Sequence, residues 1–227
     1  FSRRSRNPRS CILSRGLGDV YKRQMLRSVQ RFLAGSARII DDYRGGTRQQ
    51  QIHGRKRRKR LFETAIQQVS MQLPKVEKTL DYSLFPDNTP EKVQHLVDSL
   101  QSVRLRLQSM EATYSLAESE SPELLQSLTT DHGKWRQRIH SMLDKWARLE
   151  QSDSLTKEWG FQATFSEEME QALAKLQHGK EPGFIDRRDL RNIYAVFGSI
   201  QSLLDAMKQL GESMQQINWH QWAVARF

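Results

Sequence analysis

Six histidines, at positions 53, 95, 132, 140, 178 and 220, are the residues best able to hold a metal or move a proton near neutral pH. None falls with a carboxylate in a metal-ligand motif such as H-E-x-x-H. His132 falls on an apolar helical stripe and reads as a packed core or interface group. The adjacent pairs Asp41-Asp42 and Glu167-Glu168 would point about 100° apart on a helix. They suit a helix end and a first helical turn better than a paired acid and base. Cys11 is the only cysteine, which precludes a disulfide within the chain and argues against a thiolate metal site. The 12 glycines form neither G-x-x-x-x-G-K-[ST] nor G-x-G-x-x-G, so no phosphate cradle is visible. The expectation is therefore a protein that is not an enzyme, with no catalytic residue, no cofactor and no metal.

Charge and tryptophan remain. The stretch GRKRRKR places Arg55, Lys56, Arg57, Arg58, Lys59 and Arg60 in one unbroken run. Such a run can grip a nucleic acid, act as a targeting signal or press against an anionic membrane. Residues 1–60 carry 18 of the 36 Lys/Arg but only 3 of the 26 Asp/Glu, so the rest of the chain is mildly acidic. Basicity is thus confined to one end, whereas a folded nucleic-acid binder more often carries it on a face of the body. No aromatic residue interleaves the run, which disfavours nucleic acid further.

The elements that must position these residues read as helices. Residues 1–24, FSRRSRNPRSCILSRGLGDVYKRQ, lack any periodicity, and GLGDVYKRQ is similar to a translated sequencing-library adaptor. The expectation is a disordered segment foreign to the native chain, which would begin near Met25. From there Leu26, Val29, Phe32, Leu33, Ile39 and Ile40 recur at helical spacing, with Arg27, Arg31 and Arg38 between them. Gly45-Gly46 would end this helix, and residues 25–60 form a basic helix and linker. Residues 61–227 read as a helical bundle. Thr89-Pro90-Glu91 and Ser121-Pro122-Glu123 each offer a hydroxyl cap, a first-turn proline and an acid at the positive end of the dipole. Thr164 to Glu167 fits a capping box, Asp186 is a candidate N-cap, and Pro74 should break or kink the helix over 61–84.

Three of these helices carry apolar residues at alternating spacings of three and four. The first is Leu96, Leu100, Val103, Leu107, Met110 and Tyr114. The second runs through Leu128, His132, Trp135, Ile139, Met142, Trp146 and Leu149. The third is Ile193, Phe197, Ile200, Leu204, Met207, Gly211 and Met214. Long helices with such seams pack side by side, nearly antiparallel, and flanking Val97, Leu143 and Leu203 widen each seam to a globular stripe. The fold class expected is all-α, an antiparallel helical bundle of long helices with a basic N-terminal extension. Mean hydropathy is −0.72, and no window has the 18 or so apolar residues a membrane span needs. Nor does an apolar segment of the secretory type follow the basic N-terminus. Trp219 and Trp222, in the ending INWHQWAVARF, would either dock back to close the bundle or rest at a membrane or partner interface.

Three segments together carry a family resemblance: FPDNTPEKVQHLVDSLQSVRLRLQSME (85–111), LRNIYAVFGSIQSLLDAMKQLG (190–211) and that ending. They resemble the C-terminal cytoplasmic region of the bacterial FUSC family, the fusaric-acid-resistance and aromatic-acid-exporter-like inner-membrane proteins. The resemblance covers roughly residues 25–227. It implies a cytoplasmic helical fragment, at the inner face of the bacterial inner membrane, of an efflux transporter of small aromatic or organic-acid compounds. Such a fragment would have no transport activity by itself. Its partners would be the anionic inner leaflet and its own missing transmembrane domain. MLRSVQRFLAGSARII would lie near the leaflet as an amphipathic basic helix, and the basic run would mark the junction with the membrane. Two other readings stay open. One is a stand-alone basic helical protein that binds nucleic acid or anionic lipid. The other is a coiled-coil scaffold whose seams join chains in a homo-oligomer.

Overall fold

The computed structural model describes residues 23–37, 40, 60, 64, 67, 71, 88–120, 133–148, 165, 167, 168, 170, 171, 174 and 186–220. Its helices are α1 (residues 23–37), α2 (Pro90–Glu120), α3 (Gly133–Ala147) and α4 (Arg187–Gln215). The fold is all-α, and no strand occurs among the described residues.

Helix α2 begins as its sequence dictates. The Thr89 carbonyl accepts the Val93 amide at 3.1 Å, and the Thr89 hydroxyl accepts the Lys92 amide at 3.5 Å. The first is the opening bond of the helix itself, and the second satisfies a donor that the first turn leaves without an intrahelical partner. The Glu91 carboxyl is held below its ordinary value by a hydrogen bond from its own backbone amide, and next by one from Thr89. Helix α4 is different in detail. Asp186 sits extended at the N-cap (φ −66°, ψ 153°), but its side chain makes no capping bond; only its carbonyl serves, accepting the Leu190 amide at 3.1 Å. The second predicted start, Ser121-Pro122-Glu123, lies outside the described residues, as do Thr164, Gly45-Gly46 and Pro74.

The seams are the core. Leu96, Leu100, Val103, Leu107 and Met110 of α2 are buried, as are Ile193, Ile200, Leu204, Met207 and Met214 of α4. All of these but Ile193 join Ile139, Met142, Leu143 and Trp146 of α3 in one apolar cluster. Each such side chain contributes about 1.5–3 kcal/mol relative to remaining in water. Phe165 enters the same cluster, while Glu167 and Glu168 are exposed on a helical turn.

Helix α1 belongs to this core as well. Met25, Val29, Phe32, Leu33 and Ile40 are 0% exposed and lie in the same cluster. The inner face of α1, together with Ile40, thus shares the core of the bundle. The apolar side of α1 is already occupied by protein, so it does not lie open to a leaflet as an amphipathic surface helix would.

Helices α2 and α4 run antiparallel, and their cross-helix hydrogen bonds show it. Ser99 meets Ser213 at 2.8 Å, Thr113 meets Ser199 at 3.0 Å, and Glu120 accepts from Asn192 at 2.8 Å. The steps are 14 and then 7 residues forward along α2 and the same numbers back along α4. Whole heptads separate the layers, so polar groups recur at one edge of the apolar interface without interrupting it.

Candidate functional site

The outer face of α1 carries the feature most open to a partner. Arg23, Arg27 and Arg31 recur every fourth residue and all three are exposed. Residues four apart rise about 6 Å along a helix, so the three guanidinium groups form a stripe. No Asp or Glu occurs anywhere between residues 23 and 40. Like charges four apart repel, each pair destabilising the helix by about 0.2–0.5 kcal/mol, and a polyanion on the stripe relieves that repulsion. The stripe is held rigidly because Val29, Phe32 and Leu33, on the opposite face, are fixed in the core. Ser28 and Ser36 are buried too, and return their hydroxyls to their own helix, to the Gln24 carbonyl at 2.8 Å and the Phe32 carbonyl at 2.9 Å.

Of the basic run, Arg60 is exposed and its carbonyl accepts the Thr64 hydroxyl at 2.8 Å. Arg55, Lys56, Arg57, Arg58 and Lys59 lie outside the described residues, and so does Trp222. Trp219 is 7% exposed, and its indole N–H donates to the Met214 carbonyl at 2.9 Å. That carbonyl is one of the four that the C-terminus of α4 leaves without an intrahelical partner. The Ile217 amide reaches it as well, at 3.3 Å. Trp219 is therefore positioned to stop the helix and cover its end, and little of it is offered to an outside partner.

Beside this end lies a cluster that the apolar spacing does not reveal. Ser213 Oγ is 2.9 Å from His95 Nδ1 and 2.8 Å from Ser99 Oγ, and Ser99 Oγ donates to the His95 carbonyl at 2.8 Å. A proton on His95 Nδ1 lets the donors run one way round, from His95 to Ser213, to Ser99 and back to the His95 carbonyl. Ser213 and His95 have the contact of a nucleophile and its base, but not the access. Ser213 is 1% exposed, and its hydroxyl is also within 2.8 Å of the Gln209 carbonyl. The cluster joins helices. Next to it the Asn88 side chain clamps the backbone of Asn218, accepting its amide at 2.7 Å and donating to its carbonyl at 3.1 Å.

Other sequence candidates play smaller parts. His140 is half-buried and His220 exposed, while His132 lies outside the described residues. Among the described residues no helix is long and apolar enough to cross a membrane, and no group of three His, Cys, Asp or Glu could hold a metal ion.

No family model, no curated protein and no solved structure matches the chain.

Proposed function

We propose that this chain is a non-catalytic helical module that rests on the anionic cytoplasmic face of a bacterial inner membrane through its N-terminal arginines. On this reading it is the accessory region of an exporter of small aromatic or organic-acid compounds, as the FUSC resemblance implies. The observation that carries the membrane contact is the two-faced α1: apolar residues locked inward, Arg27 and Arg31 outward. With the apolar side of α1 occupied, the attraction is electrostatic, supplied by α1 and the run Arg55–Arg60, and needs no insertion into the acyl region. The exporter assignment rests on the segments that resemble the family and on nothing else.

A basic residue near an anionic leaflet is worth about 1 kcal/mol. Replacing Arg27 and Arg31 with glutamine should therefore weaken binding to phosphatidylglycerol-containing vesicles about 30-fold. Cosedimentation of the full chain with such vesicles, and with vesicles of phosphatidylcholine alone, measures this. Equal binding to both vesicle types, or binding indifferent to the two substitutions, sinks the proposal. Tighter binding to duplex DNA than to anionic vesicles would favour the nucleic-acid reading instead.

A further inference from the structure

Helix α3 repeats the two-faced build of α1 within the body. Its inner residues Ile139, Met142, Leu143 and Trp146 are buried in the common core. On the opposite face Arg138, Ser141, Lys145 and, just past the helix end, Arg148 are exposed at spacings of 3, 4 and 3. From Arg138 to Lys145 this stripe rises about 10 Å. Asp144 is the one acid of the segment, and Arg148 binds it at 2.6 Å. An exposed pair of that kind is worth little, so Arg148 can exchange it for another anion.

The charge of α3 stands apart from that of the rest of the body. Residues 133–148 hold five of the 18 Lys/Arg beyond residue 60 but only one of the 23 Asp/Glu there. The other body residues therefore carry 13 basic and 22 acidic groups, a balance that an anionic surface repels. Helix α2 has three Lys/Arg against five Asp/Glu, and α4 has four against three. The repulsion is not relieved by distance, because the apolar side of α1 is fixed in the body's own core. A surface on the α1 arginines thus lies about one helix diameter, about 10 Å, from the body. Charges still act over about 8 Å at physiological ionic strength, so the body turns its most basic face toward the surface and its acids away.

We infer that the outer face of α3, from Arg138 to Arg148, is a second contact of this chain with the anionic leaflet and sets the orientation of the body on it. The inference rests on the membrane reading proposed above and adds to it a surface of the body that this reading does not use. A nucleic acid fits the stripe less well, because no aromatic side chain interleaves Arg138, Ser141, Lys145 and Arg148 for a base to stack on, and Trp146 is turned into the core.

Cosedimentation of the full chain with phosphatidylglycerol-containing vesicles tests both readings and separates them. Arg138→Gln with Lys145→Gln should weaken binding about 30-fold. Arg187→Gln with Arg188→Gln removes the same charge from exposed positions of α4 and should weaken it less than about 3-fold. All four side chains are exposed, so the circular-dichroism melt should stay unchanged. Contact itself is read by thiol labelling in a Cys11→Ser background. Ser141→Cys should label rapidly in solution and be protected by vesicles, whereas Ser119→Cys, exposed on α2, should label rapidly in both. A wild-type chain that ignores these vesicles overturns the membrane reading, and this inference with it. Binding that responds to Arg27→Gln with Arg31→Gln but not to the α3 pair overturns this inference alone. So does an equal loss from the α4 pair, rapid labelling of residue 141 on saturating vesicles, or equal protection of residue 119. Protection of residue 141 by duplex DNA but not by vesicles would overturn it in favour of nucleic acid.

Discussion

Helix α1 and the α2–α4 pair are held in one core by different means. Helix α1 offers the core a face that makes no polar cross-helix bond among the described residues; Ser28 and Ser36 bond back to their own helix. Burial of Met25, Val29, Phe32, Leu33 and Ile40 is what holds it there. The α2–α4 pair has an apolar seam too, but its edge is marked by Ser99–Ser213, Thr113–Ser199 and Glu120–Asn192. Apolar contact is non-directional and tolerates a sliding register, whereas a buried polar group out of register is left without a partner. The difference teaches that α2 and α4 are specified to the residue, while α1 is specified mainly as to which face turns inward. That suits an element whose outer face must present charge and do little else.

The contrast is broken most severely where only burial acts. Phe32→Ala removes the largest side chain on the core face of α1, and should cost about 3–5 kcal/mol in urea unfolding of the full chain. Next comes the polar clamp. Asn88 is 0% exposed, and Asn88→Ala removes both of its bonds to the Asn218 backbone, costing about 1–3 kcal/mol. Ser36→Ala serves as its control in α1: the hydroxyl only bonds back within its own helix, a habit that slightly destabilises helices, so a change under about 0.5 kcal/mol is expected. If Ser36→Ala proved as costly as Asn88→Ala, the two regions would not differ in the way described. The smallest effect has the opposite sign. Gly198 lies on the outer face of α4 with nothing within 4 Å of an added Cβ, so Gly198→Ala should raise stability by about 0.5–1 kcal/mol.

Much of this fold is legible in the sequence, because helical spacing reports which residues share a face. Leu96, Leu100, Val103 and Leu107 are buried as their rhythm predicts, and Thr89-Pro90-Glu91 opens its helix by the chemistry of its three residues. The polar layers were less legible. Serine is common on any helix, and Ser99 and Ser213 acquire meaning only when two helices 114 positions apart in sequence are known to be antiparallel neighbours. The recurrence of Ser or Thr at whole heptads, at 99 and 113 and again at 199 and 213, was the available signal. The destination of the apolar side of α1 was not legible at all, since a helix that lines a core and one that lies on a membrane share the same amphipathic pattern. Trp219 posed a similar choice. Its large apolar body could close a bundle or face an interface, and only its bond to Met214 shows how it is used.

Accessibility of α1 tests the account most directly. In a Cys11→Ser background, Arg27→Cys and Val29→Cys are each labelled with a thiol reagent, with and without phosphatidylglycerol vesicles. Residue 27 should label rapidly in solution and be protected by vesicles, while residue 29 should be protected in both conditions. Rapid labelling of residue 29 in solution, with protection only on vesicles, would mean that α1 turns its apolar face to the membrane, and would contradict the account.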